Sequence, residues 1–289
     1  MKATTAATAE SPVITIRNAA ATAKINICKL RGNISVLEGS GGNITVLTGA
    51  DGKLLVDAGV SRPQVEDALA SLGDEPVRHL INTHWHFDHT DGNEWLHSAG
   101  AEITAHKNTR KHLSIATRVE DWNFTFPPAP PGALPTKLIN TDETLHLNGA
   151  TLVLKCYAPS HTDSDISVQF QEANVIAVAD TLWNSEYPFI DYSTGGSIDG
   201  MIRAAEANLA NTDDETIVIP GHGPIGNKSQ LIEFRDMLVA IREKVADLKK
   251  QGKSLDEAVA AQPTTDYDEK WGRFVIDGNF FTRLVYVGV

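Results

Sequence analysis

The chain has 289 residues, 42% of them hydrophobic and 21% charged, which is the composition of a globular protein with a sizeable core. Its 25 Lys and Arg against 37 Asp and Glu give a formal net charge of −12. This charge disfavours a nucleic-acid partner or an anionic membrane surface, since both need a basic footprint. We therefore expect a small-molecule substrate, and the sequence leaves the oligomeric state open.

The first 24 residues are rich in Ala and Thr and are expected to form a flexible N-terminal tail. Their first twelve residues carry one lysine and no apolar segment, so they are not an intact signal peptide. No apolar run approaches the roughly 20 residues of a membrane span. We expect a soluble protein, either cytoplasmic or, if a signal peptide has been removed, periplasmic or secreted.

Short apolar segments bounded by turn residues predict strands from about residue 25 onwards. "ISVLEG" and "NITVLTG" flank the turn "SGG", which indicates a hairpin, and "KLLVDAG" follows another tight turn. "RPQVEDALASLG" predicts a helix that begins near Pro63 and ends at Gly73. "VRHLIN" predicts a buried strand, and "AEITAHK" the strand after it.

A proline-rich segment, residues 126–135, is expected to be a stiff loop, or a lid over a site. Strands are predicted again at "TLVLKCYAP", "DISVQFQE", "NVIAVAD" and "TIVIPGHG". Apolar residues from Leu231 to Leu248 then recur at steps of three and four, which predicts one amphipathic helix. Ser254 and Glu257 form a capping box for the next helix.

This order of elements favours an α/β (α+β) fold in which two sheets pack face to face with helices outside. We expect one domain over residues 25–289, with two similar halves at about 25–148 and 149–289. The two cysteines, Cys28 and Cys156, exclude a disulfide-rich scaffold. Both are expected to be free, although a single bridge between them stays open.

The segment "INTHWHFDHTDGN", residues 81–93, places His84, His86, Asp88 and His89 within six positions. In an extended chain, residues two apart point to the same side, so His84 and His86 can bind one metal. Asp88 continues this alternation, whereas His89 turns to the other side. The motif thus presents ligands at two adjacent points, and the lack of a nearby cysteine favours an open, catalytic type of site.

Three further candidate ligands follow predicted strands: His161 in "APSHTDSD", Asp180 at the end of "NVIAVAD", and His222 in "IVIPGHG". Loops at strand ends are where functional residues concentrate. Nitrogen and oxygen donors of this kind suit zinc first, and also iron or manganese.

The segments "THWHFDH", "SHTDSD", "AD" and "PGHG" together resemble the metallo-β-lactamase superfamily, over about residues 25–248. The resemblance implies an αββα sandwich of two packed mixed β-sheets flanked by helices, with a dinuclear metal site at one edge. It implies one zinc ion bound by His84, His86 and His161, a second bound by Asp88, His89 and His222, and Asp180 as the bridging ligand.

Two supporting features are also implied by the resemblance. "SGGN" at residues 40–43 matches a flap over the site, and Asp57 in "LLVDAG" matches a residue that braces the histidine loop. β-Lactamases with a cysteine ligand carry it where this chain has Asp180. A bridging aspartate is instead similar to glyoxalase II and the lactonases.

The resemblance implies a zinc-dependent hydrolase in which a metal-bridging hydroxide attacks the carbonyl of a small cyclic amide or ester, of the β-lactam or lactone type. Asp88 is the candidate catalytic residue, because it can orient the nucleophile. One alternative is a glyoxalase-II-like thioesterase, although Lys228 and Arg235 make no convincing basic cluster for glutathione. Another is a non-haem iron oxygenase or redox protein on the same fold.

Candidate substrate-binding residues are expected in the loop that follows Asp180. Residues 184–196 are rich in aromatic side chains, and Tyr187, Phe189 and Tyr192 are the candidates for the wall of the substrate site.

Overall fold

The computed structural model describes residues 11–289, which form two large sheets, a small hairpin and helices on the outside. The strands are β1 (Asn26–Lys29), β2 (Ile34–Glu38), β3 (Ile44–Leu47), β4 (Lys53–Val56), β5 (Val77–Asn82), β6 (Glu102–His106), β7 (Thr117–Val119), β8 (Phe124–Phe126), β9 (Lys137–Ile139), β10 (Glu143–Leu147), β11 (Ala150–Cys156), β12 (Ile166–Phe170), β13 (Val175–Trp183), β14 (Ile217–His222) and β15 (Gly226–Asn227). The helices are α1 (Pro12–Thr22), α2 (Arg62–Ala70), α3 (Phe87–Thr90), α4 (Asn93–Ser98), α5 (Lys107–Ser114), α6 (Ile198–Ala210), α7 (Lys228–Lys250), α8 (Leu255–Ala260), α9 (Thr265–Trp271) and α10 (Gly278–Gly288).

Both large sheets are mixed. The first has the order β1-β2-β3-β4-β5-β6-β9 and the second β10-β11-β12-β13-β14-β15. Neighbours joined by short turns are antiparallel, as in β2–β3 and β10–β11, whereas β4–β5 and β13–β14 are parallel. Parallel neighbours need a crossover, and α2 and α6 provide it on the outer faces of the two sheets.

The two sheets pack face to face through a shared apolar layer. Val36 and Val56 of the first sheet share one buried cluster with Val168 and Phe170 of the second. The opposite face of the first sheet packs on α2 and α4, and that of the second sheet on α6, α7 and α10. The αββα sandwich expected from the resemblance is therefore confirmed.

The outer helices follow their predicted boundaries closely. The apolar stripe predicted from Leu231 onwards lies on α7, whose buried face meets the second sheet and α10. The predicted capping box at Ser254 and Glu257 begins α8, and both of its hydrogen bonds are formed. None of the helices within residues 11–289 has the length and apolar character needed to cross a bilayer. Cys28 and Cys156 are both free and half-buried.

The prediction of a flexible tail over residues 1–24 is wrong for residues 12–22, which form α1; residues 1–10 lie outside the described part of the chain. Val13, Ile16 and Ala20 are buried at spacings of three and four. An eleven-residue helix is marginal alone, so α1 owes its stability to this packing and to the ion pair of Arg17 with Asp91. The division of residues 25–289 into two similar halves stays a prediction.

The packing of the core between the two sheets can be tested by measuring the free energy of unfolding. Phe170 is fully buried between the sheets, so Phe170→Ala should lower the free energy of unfolding by about 3–5 kcal/mol. Denaturant unfolding, with an unchanged dependence on denaturant concentration, measures this. Leu138→Ala is the control, because Leu138 is 44% exposed and its loss should change stability by about 0.5 kcal/mol or less. Equal effects of the two substitutions would contradict the assigned core.

Candidate metal centre

The predicted ligands meet at one edge of the sandwich, where strands of both sheets end. The histidine motif follows the end of β5, and His222 is the last residue of β14. Asp180 lies inside β13, which continues to Trp183 rather than ending at the aspartate as predicted. The register of β13 against β14 shifts on either side of Ala179, whose φ is +46°. This bulge turns Asp180 out of the ladder and towards the histidines.

The first group of ligand atoms belongs to His84, His86, His161 and Asp180, and these atoms all lie within 4.8 Å of one another. The Nε2 of His161 is 2.9 Å from the Nδ1 of His86 and 3.3 Å from Asp180 Oδ2. The Nε2 of His84 is 3.8 Å from the same carboxylate oxygen. All four side chains are buried.

The second group consists of Asp88, His89 and His222, again with ligand atoms within 4.8 Å of one another. The Oδ2 of Asp88 is 3.1 Å from His222 Nε2 and 3.6 Å from His89 Nε2. Asp180 also reaches this group, since its Oδ1 is 3.1 Å from His89 Nε2. The Asp180 carboxylate thus lies between the two groups, where the resemblance implies a bridging ligand.

Four buried atoms of the centre have no hydrogen-bond partner within residues 11–289: His84 Nε2, His89 Nε2, Asp180 Oδ1 and His222 Nε2. A buried polar atom without a partner is costly and uncommon in folded proteins. Here the atoms face one another, and imidazole nitrogens and carboxylates are good ligands for divalent metals. The residues present therefore fit two metal ions.

The outward nitrogens of the histidines explain why the inward ones are free to bind metal. His161 Nδ1 donates to the Phe189 carbonyl at 2.8 Å, and His86 Nε2 donates to Asp191 Oδ2 at 3.0 Å. Each such bond fixes the neutral tautomer whose lone pair points into the centre. His86 consequently presents Nδ1, whereas His161 presents Nε2.

Asp57 lies where the resemblance implies and braces the histidine loop. Its carboxylate accepts hydrogen bonds from the Thr83 amide, the Thr83 hydroxyl and His89 Nδ1, each at 2.8 Å. The Thr83 oxygen in turn is 3.1 Å from His84 Nδ1 and can accept its proton. One buried carboxylate therefore orients both His84 and His89. Asp57 has a φ of +67°, a conformation that aspartate tolerates better than most residues.

Two more buried carboxylates, Asp165 and Asp191, support the centre and were missed by the sequence analysis. Asp165 accepts bonds from Ser160 and from the amide and hydroxyl of Thr162, which fixes the backbone on both sides of His161. Asp191 orients His86 and also accepts from the Thr194 hydroxyl. The available signal was an aspartate inside an apolar run, "YPFIDY", where a surface role is improbable.

The electrostatics of the centre favour a bound cation. Burial raises the pKa of Asp180, but the surrounding histidines outweigh it and hold this pKa well below its usual range. Burial lowers the pKa of His222, yet Asp180 and Asp88 reverse this and raise it to about 10. A metal must displace protons held in this way, so metal affinity should fall as the pH is lowered.

The "SGGN" segment is a fixed part of the centre. A β-carbon at Gly42 would collide with the His89 ring, and one at Gly221 would collide with Asp180 Oδ1. The Asn43 amide donates to the Gly221 carbonyl at 2.8 Å, which ties the first sheet to β14 beside the ligands. These close approaches require glycine and leave the ligands little freedom to move.

Two adjoining cavities, of about 360 and 170 Å³, open at His222 and share Gly39, Gly41, His222 and Phe274. We call them together the His222 cleft. The first is also lined by Glu38 and Glu186, and the second by the inner face of α1. This cleft is where a substrate can approach the ligand cluster.

The predicted substrate-wall residues lie elsewhere. Tyr187 is buried, stacks on Phe281 and donates to Asp268 at 2.9 Å. Phe189 is buried against Trp122, behind His86, and Tyr192 packs near the end of α10. None of these three side chains lines the His222 cleft. All three lie in or against the hydrophobic core, and their expected role as a substrate wall stays a prediction.

The proline-rich segment does not cover the ligand cluster either. It encloses a separate cavity of about 190 Å³, lined by Trp85, Phe87 and His112 among others. Trp85 and Phe87, which lie inside the histidine motif, point away from the ligands into this region and the core.

A family model of the metallo-beta-lactamase superfamily matches residues 37–222, which include all the ligands described above, and the chain belongs to this superfamily. The resemblance drawn from the motifs is thereby confirmed. A hydroxyacylglutathione hydrolase of Polaromonas sp. (strain JS666 / ATCC BAA-500) is 27% identical over 172 residues, which are 58% of this chain. The chain spans 57% of the length of that relative.

Solved structures show the same fold. The sec-alkylsulfatase Pisa1 from Pseudomonas sp. superposes with a TM-score of 0.70 and 18% identity, covering 91% of this chain and 50% of its own. A metallo-beta-lactamase from Pontibacter korlensis gives a TM-score of 0.60 and 17% identity, covering 75% of this chain and 99% of its own. At these identities, the similarity concerns the fold.

Asp191 provides a test of how the centre is held. Asp191→Asn keeps the size of the side chain but removes the charge that orients His86, so metal affinity should fall by about 10–100-fold. Metal-binding isotherms measured against a competing chelator give this ratio. Asp199→Asn is the control, because Asp199 pairs with Arg242 on the outside of α6. An unchanged affinity in Asp191→Asn would show that His86 needs no such support.

Proposed function

We propose that this protein is a metal-dependent hydrolase that opens small cyclic esters or amides, of the lactone or β-lactam type, with two zinc ions as its cofactors. The observation that carries the proposal is the set of inward ligand atoms without hydrogen-bond partners, beside histidines whose outer nitrogens are fixed. Membership of the superfamily and the kinship with a curated hydrolase support it.

In this proposal His84, His86 and His161 hold one ion, Asp88, His89 and His222 hold the other, and Asp180 contacts both. The ions, when bound, supply hydroxide at neutral pH and polarise the carbonyl of the substrate. No serine or cysteine nucleophile is then required.

Asp88 is the proposed catalytic residue of the chain. Its Oδ2 faces His222 and His89, so its other oxygen is the acceptor that can orient the attacking water. Gly41 lies against the β-carbon of Asp88, and any larger residue there would displace the carboxylate. The backbone around residues 40–43 thereby holds the proposed acceptor in place.

A thioesterase of the glyoxalase II type is the second candidate, favoured by the similarity to the hydroxyacylglutathione hydrolase of Polaromonas and by the aspartate at position 180. Glutathione carries two carboxylates, and their recognition calls for basic side chains. Lys228 pairs with Asp214, and Arg235 with Asp236. Among the described residues that line the His222 cleft, none is Lys or Arg, which favours the first candidate.

The metal assignment is tested with His86→Ala. We expect kcat/KM to fall at least about a thousand-fold, because one ion loses a ligand, while circular dichroism shows a folded protein. Metal analysis of the same sample should show less than the wild-type content. His146→Ala is the control, since His146 is exposed on β10 and belongs to neither group of ligand atoms. Turnover close to wild type in His86→Ala would refute the assignment.

The substrate class is tested with an initial-rate panel containing a chromogenic cephalosporin, several lactones and a glutathione thioester, each with and without chelator. We expect chelator-sensitive hydrolysis of at least one cyclic substrate. Turnover of the thioester alone would replace the first candidate with the second. Iron in place of zinc, combined with no turnover across the panel, would instead favour the oxygenase alternative.

A further inference from the structure

The His222 cleft combines a buried metal ligand with two carboxylates. His222 is only 6% exposed, its Nε2 lacks a hydrogen-bond partner within residues 11–289, and it lines both cavities of the cleft. Glu38 and Glu186 line the larger cavity beside it. A ligand in this cavity therefore meets the proposed catalytic centre on one side and negative charge on the other.

Glu186 has an unused hydrogen-bonding atom. Its Oε2 is buried and lacks a partner within residues 11–289, whereas Glu38 Oε2 accepts from Asn26 at 2.7 Å. A donor on a bound ligand would satisfy Glu186, and a carboxylate placed there would meet like charge. Burial raises the pKa of Glu186, so an incoming cation or N–H donor also stabilises its ionised form.

Among the described residues that line the cleft, none is Lys or Arg, and the one histidine, His222, is a proposed metal ligand. The nearest arginine in sequence to the cleft residue Phe274 is Arg273, which pairs with Glu269 at 3.6 Å. A carboxylate on a substrate would thus find no Lys or Arg beside Glu38 and Glu186.

The smaller cavity supplies an apolar wall. Ile16, Ala19, Ala20 and Ala23 of α1 and its C-terminal end line it, opposite Phe274. Phe274 is a large side chain left 48% exposed, and it lines both cavities. Burying a hydrocarbon chain against this wall removes apolar surface from water, which favours binding.

We infer that the His222 cleft selects uncharged or positively charged acyl compounds over carboxylates, with an apolar part of the substrate against α1 and Phe274. This inference rests on the proposed function and narrows its substrate class. It separates neutral lactones and esters from β-lactams and glutathione thioesters, which carry carboxylates.

Binding of three matched amides to the full chain loaded with zinc tests the inference without requiring turnover. Hexanamide, 6-aminohexanamide and the monoamide of adipic acid share one chain and differ in the charge at its end. Dissociation constants from NMR titrations give two ratios, cation to neutral and anion to neutral. The metal ions contribute equally to these ratios in all variants. The change in a ratio between wild type and variant therefore measures the effect of the two carboxylates alone.

In Glu38→Gln/Glu186→Gln, we expect the anion to gain at least about tenfold in affinity relative to hexanamide, and the cation to lose relative affinity. The matched control is Glu206→Gln/Glu243→Gln, which changes the net charge equally on the exposed faces of α6 and α7. Ratios within twofold of wild type in the first variant, or an equal shift in the control, would overturn the inference.

Phe274→Ser tests the apolar wall. It should weaken all three amides by a similar factor and leave both charge ratios unchanged, since Phe274 carries no charge. Unchanged affinity for hexanamide would remove the wall from the inference. If the cleft selects ligands by charge but the protein turns over nothing on the substrate panel, the inference about the cleft stands and only the proposed function fails. Failure of the inference and failure of the proposed function can therefore be told apart.

Discussion

The structure depends on one constraint: five imidazoles and two carboxylates are buried at an edge of the sandwich, with ligand atoms facing one another. Burying polar groups without partners is costly, so such a cluster persists only when its surroundings hold it and a cation completes it. Asp57, Asp165 and Asp191 each fix one part of the cluster from outside. Glycines at the closest approaches, Gly42 and Gly221, leave room for the ligands.

This constraint also joins the two sheets. The first sheet contributes the histidine motif and Asp57, whereas the second contributes Asp180 and His222. The Asn43 amide bonds to the Gly221 carbonyl, and the Ile166 amide to the Thr83 carbonyl, so backbone contacts cross between the sheets beside the ligands. Neither sheet alone assembles the centre. Metal binding is therefore expected to stabilise the packed pair of sheets over either half.

The sequence revealed the ligands because their chemistry is local: a dense histidine motif after a strand, and single polar residues at the ends of apolar strands. The supporting role of Asp191 was not predicted because its partner His86 is 105 residues away in the sequence, and no local pattern encodes that contact. Helix α1 was not predicted because its stability depends on tertiary packing, and a short Ala-rich segment gives no local signal of that packing. The burial of Tyr187 in the core was not predicted, because periodicity cannot distinguish an aromatic residue of the core from one that lines a cleft.

The residues of the apolar wall and the proposed metal ligands come from different parts of the sequence. All seven proposed ligands lie within residues 37–222, the part that the superfamily model matches. Ile16, Ala20 and Phe274, which form the apolar wall, lie outside it. Family membership consequently accounts for the centre and its chemistry, while the wall is built by segments outside the matched residues. Glu38 and Glu186 lie inside the matched part, but neither belongs to the two groups of ligand atoms. Substrate preference in this chain is therefore to be sought in α1, Phe274 and the two carboxylates rather than in the metal ligands.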